Sequence, residues 1–565
     1  MEGSSRLDSP LTTKRLLSEE PCLSEPLKRA KPEQDLKPVQ PEALEPDGED
    51  GPAPEFSSRE KRPGKRDAAG WPKSRKAKEK EGKNVGRRRG TRPEGPREVP
   101  GDHEEEGSKA PRLPKRMTAL LMGFCGTGCS GMQIQPRDNI RTIEGVLFDA
   151  LVRAGAVSRD NADDPTKVNL GRAARTDAGV HAAGNVVSMK LIVNIPGIKD
   201  WVARINEELP PEIRIWGKAT TKVRVQNGFN ARLSCDSRKY TYFFPSYLLI
   251  PPKPNSAFIR TQEAAAPPGS SSSDTPRHPF WEFPGAGSSS PEEDLVRKRR
   301  WRASPEDIAK LRAVVKKFEG THNFHNFTVG RDFTDRSNQR SMIQIQIAEP
   351  AVYGDTEWIS VLFHGQSFML HQVCLSPHAR KMMSALVLTC RTGTPSEIID
   401  ELYGPRMVLV PKMPALGLLL EYPIFDSYNR KVNTVNEREK YDPAHPDFRP
   451  AIDFEQYRDM IDVFKQTFIY NDMRATEDRH GIFDAWVRYV DNYEGDDLLY
   501  LNPRGIIPAA ALIKKNERRR SKPFKENRRF DVINTKDLKD APSLEEEVES
   551  DEEKLSKPAL EDMEG

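Results

Sequence analysis

Apolar periodicity is confined to part of this chain, and that limits what can fold. Of the 565 residues, 1–115 are rich in Pro, Gly, Glu, Lys and Arg and carry almost no apolar repeat. Such a segment cannot bury enough surface to offset its ordering entropy, so a disordered basic tail is expected there. Its core, SREKRPGKRDAAGWPKSRKAKEKEGKNVGRRRG (58–90), suits a nuclear import signal or non-specific RNA contact. The formal net charge of +3 averages over this local asymmetry. The tail lacks an apolar leader core and holds acidic residues early, which argues against secretory or mitochondrial targeting. No run reaches the roughly 18 apolar residues of a membrane span.

Foldable sequence begins near Met117. TALLMGFC (118–125) reads as a strand, and 143–154 as a helix with Ile143, Val146, Leu147, Ala150 and Leu151 on one face and Gly155 as its stop. Residues 185–193 alternate as a half-buried strand does. A short helix near 198–208, a strand start at PPEIRIW and the strand SRKYTYFF (237–244) complete a first half, 116–250. Residues 251–300 are rich in Pro, Ser and Gly, and are expected to form a disordered insertion.

Order resumes at Ser304, an N-cap followed by Pro305 at the first helical position. The strands SMIQIQIAE (341–349) and WISVLFH (358–364), helices near 380–390 and 396–403, and a strand LGLLLEY (416–422) fill a second half, 301–425. Strands and helices intermixed in this way predict an α+β fold. A helical extension, 426–515, follows, with Phe454, Tyr457, Ile461, Phe464 and Phe468 forming a stripe that packs on the main body. The end, 516–565, continues a basic run, KKNERRRSKPFKENRR (514–529), into an acidic one, EEEVESDEE (545–553), as solvated tails do.

Several apparent chemistries fail on inspection. Gly126-Thr-Gly128-Cys-Ser-Gly131 matches a dinucleotide fingerprint, but that motif works only where a helix opens within it. Here an extended segment follows, and no Lys-Ser/Thr pair completes a phosphate loop. The glycines are better explained as letting a loop approach a partner backbone closely. The six cysteines (Cys22, Cys125, Cys129, Cys235, Cys374, Cys390) are scattered without CxxC spacing, which predicts neither a disulfide framework nor a zinc site, and suits a reducing compartment. His181, His322, His325 and His371 lack further ligands at metal spacing and read as structural or RNA-facing.

Six blocks in order carry a resemblance. They are GFCGTGCSGMQ (123–133), GRAARTDAGVHA (171–182), CDSRKYTY (235–242), FEGTHNFHNFT (318–328), GQSFMLHQ (365–372) followed by RKMM (380–383), and PALGLLLE (414–421). The chain resembles the TruA-type pseudouridine synthases, in particular their eukaryotic nuclear tRNA branch. The resemblance implies the pseudouridine synthase fold, a central mixed sheet made of two similar halves and flanked by helices. It also implies isomerisation of uridine to pseudouridine in tRNA, in the nucleus, with messenger and small nuclear RNA as further candidate substrates and an import receptor reading the basic clusters. Breaking an N-glycosidic bond and remaking it as a C–C bond involves no net redox change or hydrolysis, so neither cofactor nor metal is expected.

Such a reaction needs a carboxylate at the anomeric centre or at the base. The resemblance makes Asp177 that nucleophile and Arg380 its cationic partner, which would favour the ionised form. Arg175 would hold phosphate or the extruded nucleotide, since a stem uridine must be flipped to react. Tyr240 would stack on the uracil and assist proton removal from C5, while Gln133 and the 126–131 loop would shape the RNA cleft. An inactive relative acting as an RNA-binding protein or tRNA chaperone is the rival reading; the presence of Asp177, Arg175 and Tyr240 together argues against it.

Two departures stand out. Cys129 occupies a position that is usually aromatic in the family. Residues 374–379 (CLSPHA) separate HQ-V from RKM, where the family runs straight on. Proline in mid-helix costs about 3 kcal/mol, so the segment either bulges out and leaves Arg380 in place or displaces the helix start. The unbroken apolar pattern from Met382 through Leu386 and Val387 favours the bulge.

Overall fold

The computed structural model describes residues 113–135, 140–217, 224–267, 278–328, 331–366, 375–514, 522–526 and 530. The expectations placed on 1–112, on most of the basic and acidic end, and on Cys22, His371 and Cys374 lie outside the described residues.

Among the described residues ten strands form one mixed sheet. They are β1 (Arg116–Phe124), β2 (Gly171–Arg172), β3 (His181–Leu191), β4 (Ile213–Ile215), β5 (Ser237–Pro245), β6 (Gly320–Asn323), β7 (Gln339–Ile347), β8 (Ala351–Tyr353), β9 (Thr356–Gln366) and β10 (Leu418–Ile424). The order is β4-β1-β3-β10-β5-β9-β7-β6, with β2 on β3 and β8 on β9. All neighbours are antiparallel except β3 and β10, which run parallel through Leu419↔His181 and Leu420↔Ala182. β10 belongs to the second half of the sequence yet lies between β3 and β5 of the first, so the two stretches flanking 251–300 share one sheet.

Helices α1 (Ile143–Arg153), α2 (Trp201–Glu208), α5 (Pro305–Lys316), α6 (Leu375–Arg391) and α7 (Ile398–Glu401) fall near their predicted places. Their ends carry the expected signals. Thr142 caps α1 by accepting from the Gly145 N–H at 3.2 Å, and Gly155 ends it at φ +79°. Ser304 and Asp307 form a reciprocal capping box at the start of α5.

β3 corrects one expectation. It is buried on both faces along its length, with only Lys190 exposed, rather than half-buried. Two of its polar residues bond internally: Ser188 Oγ accepts from the Ala231 N–H at 3.0 Å, and Asn185 bonds the backbone of Ala174. The second cover is the C-terminal extension, whose Phe454 ring lies so close over Gly184 that an added Cβ would stand 2.7 Å from it.

The insertion corrects another. Residues 251–267 and 278–300 are folded, with helices α3 (Ala257–Ala265) and α4 (Pro291–Arg300). The Pro, Ser and Gly content hides a few strong anchors. Trp281 is buried and donates from Nε1 to the Pro251 carbonyl at 3.0 Å, Arg297 lies 3.5 Å over the Phe283 ring, and Ser290 and Glu293 form a capping box. Residues 268–277 lie outside the described residues.

The extension holds α8 (Asp426–Arg438), a long helix made of α9 (Arg458–Phe464), a π-helical turn (Lys465–Tyr470) and α10 (Asn471–His480), then α11 (Ile482–Asp491). The aromatic stripe packs as expected: Phe464 meets Trp216 edge to face at 5.3 Å, and Phe454 stacks on Tyr422 at 5.6 Å. Buried ion pairs fasten α11 elsewhere, Asp491 to Arg391 and Asp484 to Lys298 of α4 at 2.7 Å. None of the described helices is long and apolar enough to cross a membrane.

Candidate active site

The segment 171–180 reaches its place by running antiparallel beside the second half of β3. Gly171 pairs with Ser188 and Arg172 with Val187; the Ala173 N–H then donates to Val186 O at 2.8 Å. At the next step a side chain takes over from the ladder: Asn185 Oδ1 accepts from the Ala174 N–H and its Nδ2 donates to Ala174 O at 2.9 Å. β10 occupies the same edge of β3 from Ala182 back to His181. Between β2 and β10 the chain leaves the sheet, and Arg175, Thr176 and Asp177 lie on that departing loop, with Asp177 half-buried.

Arg172 is committed to structure. It pairs with Glu144 of α1, whose carboxylate also accepts from the Ile134 N–H at 3.1 Å. Burial pushes the Glu144 carboxyl above its usual range, while Arg172 and, more weakly, Arg175 favour its ionised form.

The glycine loop 126–131 explains itself at this point. Gly126 presses against Val180, where a Cβ would stand 2.1 Å from the carbonyl oxygen. Gly131 has φ +88°, and a Cβ there would stand 2.8 Å from Thr176 O. The Gly179 N–H donates to Cys129 O at 3.3 Å, and the Met132 N–H to Thr176 O at 3.0 Å. The loop therefore grips the backbone on both sides of Asp177, and no helix opens until Ile143. The close approach expected of these glycines is to the chain's own aspartate loop. Cys129 is fully buried, and Gln133 is half-buried beside Met132.

Tyr240 is buried in β5, opposite Leu420 of β10 and Phe363 of β9. Arg238, Tyr240 and Tyr242 alternate onto one face of that strand. Arg238 Nε reaches across to Ala173 O at 3.0 Å, at the base of the aspartate loop. Tyr242 donates its hydroxyl to Pro414 O at 2.6 Å. Arg380 is buried in α6 and its Nε donates to Met413 O, also at 2.6 Å. Lys412 is held in turn by Trp486 Nε1 on its carbonyl at 2.8 Å and by the Glu526 carboxylate on its N–H at 3.0 Å. One face of β5 thus connects the Asp177 loop, through Arg238, with the Arg380 platform, through Tyr242, and Tyr240 lies between them.

Of the inserted residues, Leu375–Ala379 are described, and they lead directly into Arg380. Leu375–Ala379 form the opening of α6, with Pro377 in its first turn, where the missing N–H leaves no helical bond unmade. Residues 367–374 lie outside the described residues. Because Arg380 is tied to Met413, outside the insertion, deleting 374–379 is expected to leave Arg380 held and to change the rate by no more than about threefold, although it removes the first turn of α6 and the buried Ala379. Steady-state rates and melting temperatures of the two proteins check this; a large gain on deletion would show that the extra residues disarm the site.

Of the histidines His181, His322, His325 and His371, the three that are described pack within the fold. His181 is fully buried, its Nδ1 accepts from the Gly126 N–H at 3.2 Å, and burial lowers its pKa. His322 stacks on Tyr403 at 4.2 Å, and His325 is buried, which lowers its pKa as well. Among the described residues no group of three or more His, Cys, Asp or Glu could hold a metal ion. Sequence reading missed Arg238, Asn185 and Glu144, each acting through a backbone or charge partner distant in sequence. Arg238 alone had a local signal, two residues from Tyr240 on a strand.

A family model described as tRNA pseudouridine synthase matches residues 314–426. The chain is 40% identical over 423 residues to tRNA pseudouridine synthase 1 of Candida glabrata, covering 68% of this chain and 72% of that protein. It is 39% identical over 423 residues to the Saccharomyces cerevisiae protein of the same name, covering 68% and 73%. To tRNA pseudouridine(27/28) synthase of Saccharomyces cerevisiae it is 35% identical over 345 residues, covering 56% of this chain and 86% of that one. Identity of this degree, over more than two thirds of the first two relatives, places the chain in the tRNA pseudouridine synthase family.

Proposed function

We propose that this chain isomerises uridine to pseudouridine in tRNA, with Asp177 as the reacting carboxylate. What supports the reading is the pair of contacts on one face of β5, Arg238 to the Ala173 carbonyl of the Asp177 loop and Tyr242 to Pro414 beside the Met413 that Arg380 holds, with Tyr240 between them, in a chain of this family. The reaction breaks the N1–C1′ bond and forms a C5–C1′ bond; N1 gains a proton and C5 loses one, so atoms and electrons balance without a co-reactant. Asp177 attacks the anomeric carbon or the uracil ring to open the exchange. Arg380 favours its ionised form. Tyr240 stacks on the flipped base and assists loss of the C5 proton, and Arg175 and Gln133 hold the extruded nucleotide. Phosphate contacts in a basic cleft would supply most of the tRNA affinity, with shape supplying selectivity.

Messenger and small nuclear RNA are further substrates in this reading, and the protein acts in the nucleus, carried there by an import receptor that reads the basic clusters of 58–90. Position-resolved pseudouridine mapping of RNA from cells lacking the protein tests the substrate assignment. Loss of pseudouridine at defined tRNA positions supports it, and an unchanged tRNA map contradicts it. A chain starting near residue 116 is expected to keep its rate in vitro, within about twofold, and to lose nuclear accumulation. Rate assays and imaging of a tagged protein check both; a folded but inactive truncation would mean that the tail binds substrate.

A further inference from the structure

The C-terminal extension reaches the catalytic loop through one carboxylate. Asp472, in the first turn of α10, accepts from Thr127 Oγ1 at 2.7 Å. Thr127 lies within the glycine loop, between Gly126, which presses on Val180, and Gly128. Its neighbours are engaged as well. The Gly126 N–H donates to His181, and the Cys125 thiol, pushed up to about 12 by burial and so protonated, lies 3.8 Å from the same Asp472 oxygen. From this loop two backbone bonds run to Thr176 and Gly179, which flank Asp177.

The helix carrying Asp472 has a local departure that fits this role. Its π-helical turn, Lys465–Tyr470, brings residues five apart into line, and Lys465 Nζ accordingly lies 5.5 Å from the Tyr470 ring. Lys465 pairs with Glu421 at 2.8 Å, and Glu421 accepts from Thr241 Oγ1 at 2.6 Å, beside Tyr240. The helix is thus fastened to the sheet next to Tyr240 at one end of the π turn and to the glycine loop beyond the other.

We propose that Asp472 is a positioning residue for the reaction: through Thr127 it fixes the glycine loop, and through that loop the backbone around Asp177. This rests on the reading of Asp177 as the reacting carboxylate. Asp472 lies outside the span 314–426 that the family model matches. A contact of this kind governs where the carboxylate stands, so its loss falls on the rate of the bound complex more than on tRNA affinity.

The test uses the full chain, tRNA labelled with tritium at C5 of uridine, and five variants: Asp472→Ala, Asp472→Asn, Thr127→Val, the double variant Asp472→Ala with Thr127→Val, and Asp177→Asn. A displacement of about 1 Å costs on the order of 10²-fold in rate, so Asp472→Ala should slow single turnover by about that factor, with a much smaller change in tRNA affinity. Asp472→Asn should recover most of the rate, because its amide oxygen still accepts from Thr127. Thr127→Val should slow the reaction comparably, and the double variant no further, because the two share one contact. A wild-type rate in folded Asp472→Ala, or losses that multiply in the double variant, overturns the proposal. Should Asp472→Ala fail to fold, wild-type turnover by Thr127→Val overturns it equally. Activity in Asp177→Asn would instead remove the underlying reading, whereas an inactive Asp177→Asn beside a normal Asp472→Ala removes only this one.

Discussion

Asp177→Asn is expected to lower turnover by at least about 10³-fold, as loss of a covalent nucleophile does, with tRNA affinity nearly intact. The amide keeps the size of the carboxylate. The loop is held by main-chain bonds, Met132 N–H to Thr176 O and Gly179 N–H to Cys129 O, and by the Asn185 side chain on both backbone groups of Ala174. The substitution removes the carboxylate's charge and nucleophilicity while these bonds still hold the loop. Single-turnover rates and filter-binding affinities measured on the same preparation check both halves. Residual turnover above about 1 % would place the reacting group elsewhere, since removing a nucleophile leaves only the contributions of binding and electrostatics.

Arg380→Ala is expected to give the second largest loss, about 10²–10³-fold in single turnover, the scale of removing one group that stabilises charge at a reacting centre. Arg380→Lys should recover only part of it. The guanidinium uses Nε to hold Met413 O and so has a fixed plane, whereas a lysine ammonium is a point charge on a flexible stem. Either change leaves the buried Met413 carbonyl without that donor, at about 1–3 kcal/mol, so melting temperatures must accompany the rates. A fall in melting temperature with an unchanged rate would make Arg380 a structural residue and leave Asp177 without the proposed cation.

Much of the fold was legible because it is written locally. β1, β5, β7 and β9 show themselves by alternation or apolar runs, and α1 and α5 by their caps and stops. The candidate site came from resemblance alone: Asp177, Tyr240 and Arg380 belong to separate blocks, and no local pattern links them, while the contacts that tie their elements to β5 run through Arg238 and Tyr242. What escaped depends on partners far away in sequence. β3 looked half-buried because its cover, the 454–468 stripe, lies well over two hundred residues downstream. The 251–300 segment looked disordered because Pro, Ser and Gly dominate it; its few anchors pair across it, Trp281 with Pro251 and Arg297 with Phe283, and Lys298 reaches Asp484 of the extension. β10 lies between two strands of the first half, a parallel pairing that no local signal announces. Asp472 and Glu526 are single acidic residues in polar surroundings, and only the folded chain reveals that one meets the glycine loop and the other the Lys412 backbone.

The central claim, that this chain is a pseudouridine-forming enzyme and more than a tRNA binder, is tested most directly by tritium release. The purified full chain is incubated with tRNA carrying tritium at C5 of uridine, with a chelator present and no nucleotide added. The account predicts tritium in the solvent in step with pseudouridine formed in the tRNA. Tight binding of the labelled tRNA with no tritium released would contradict it.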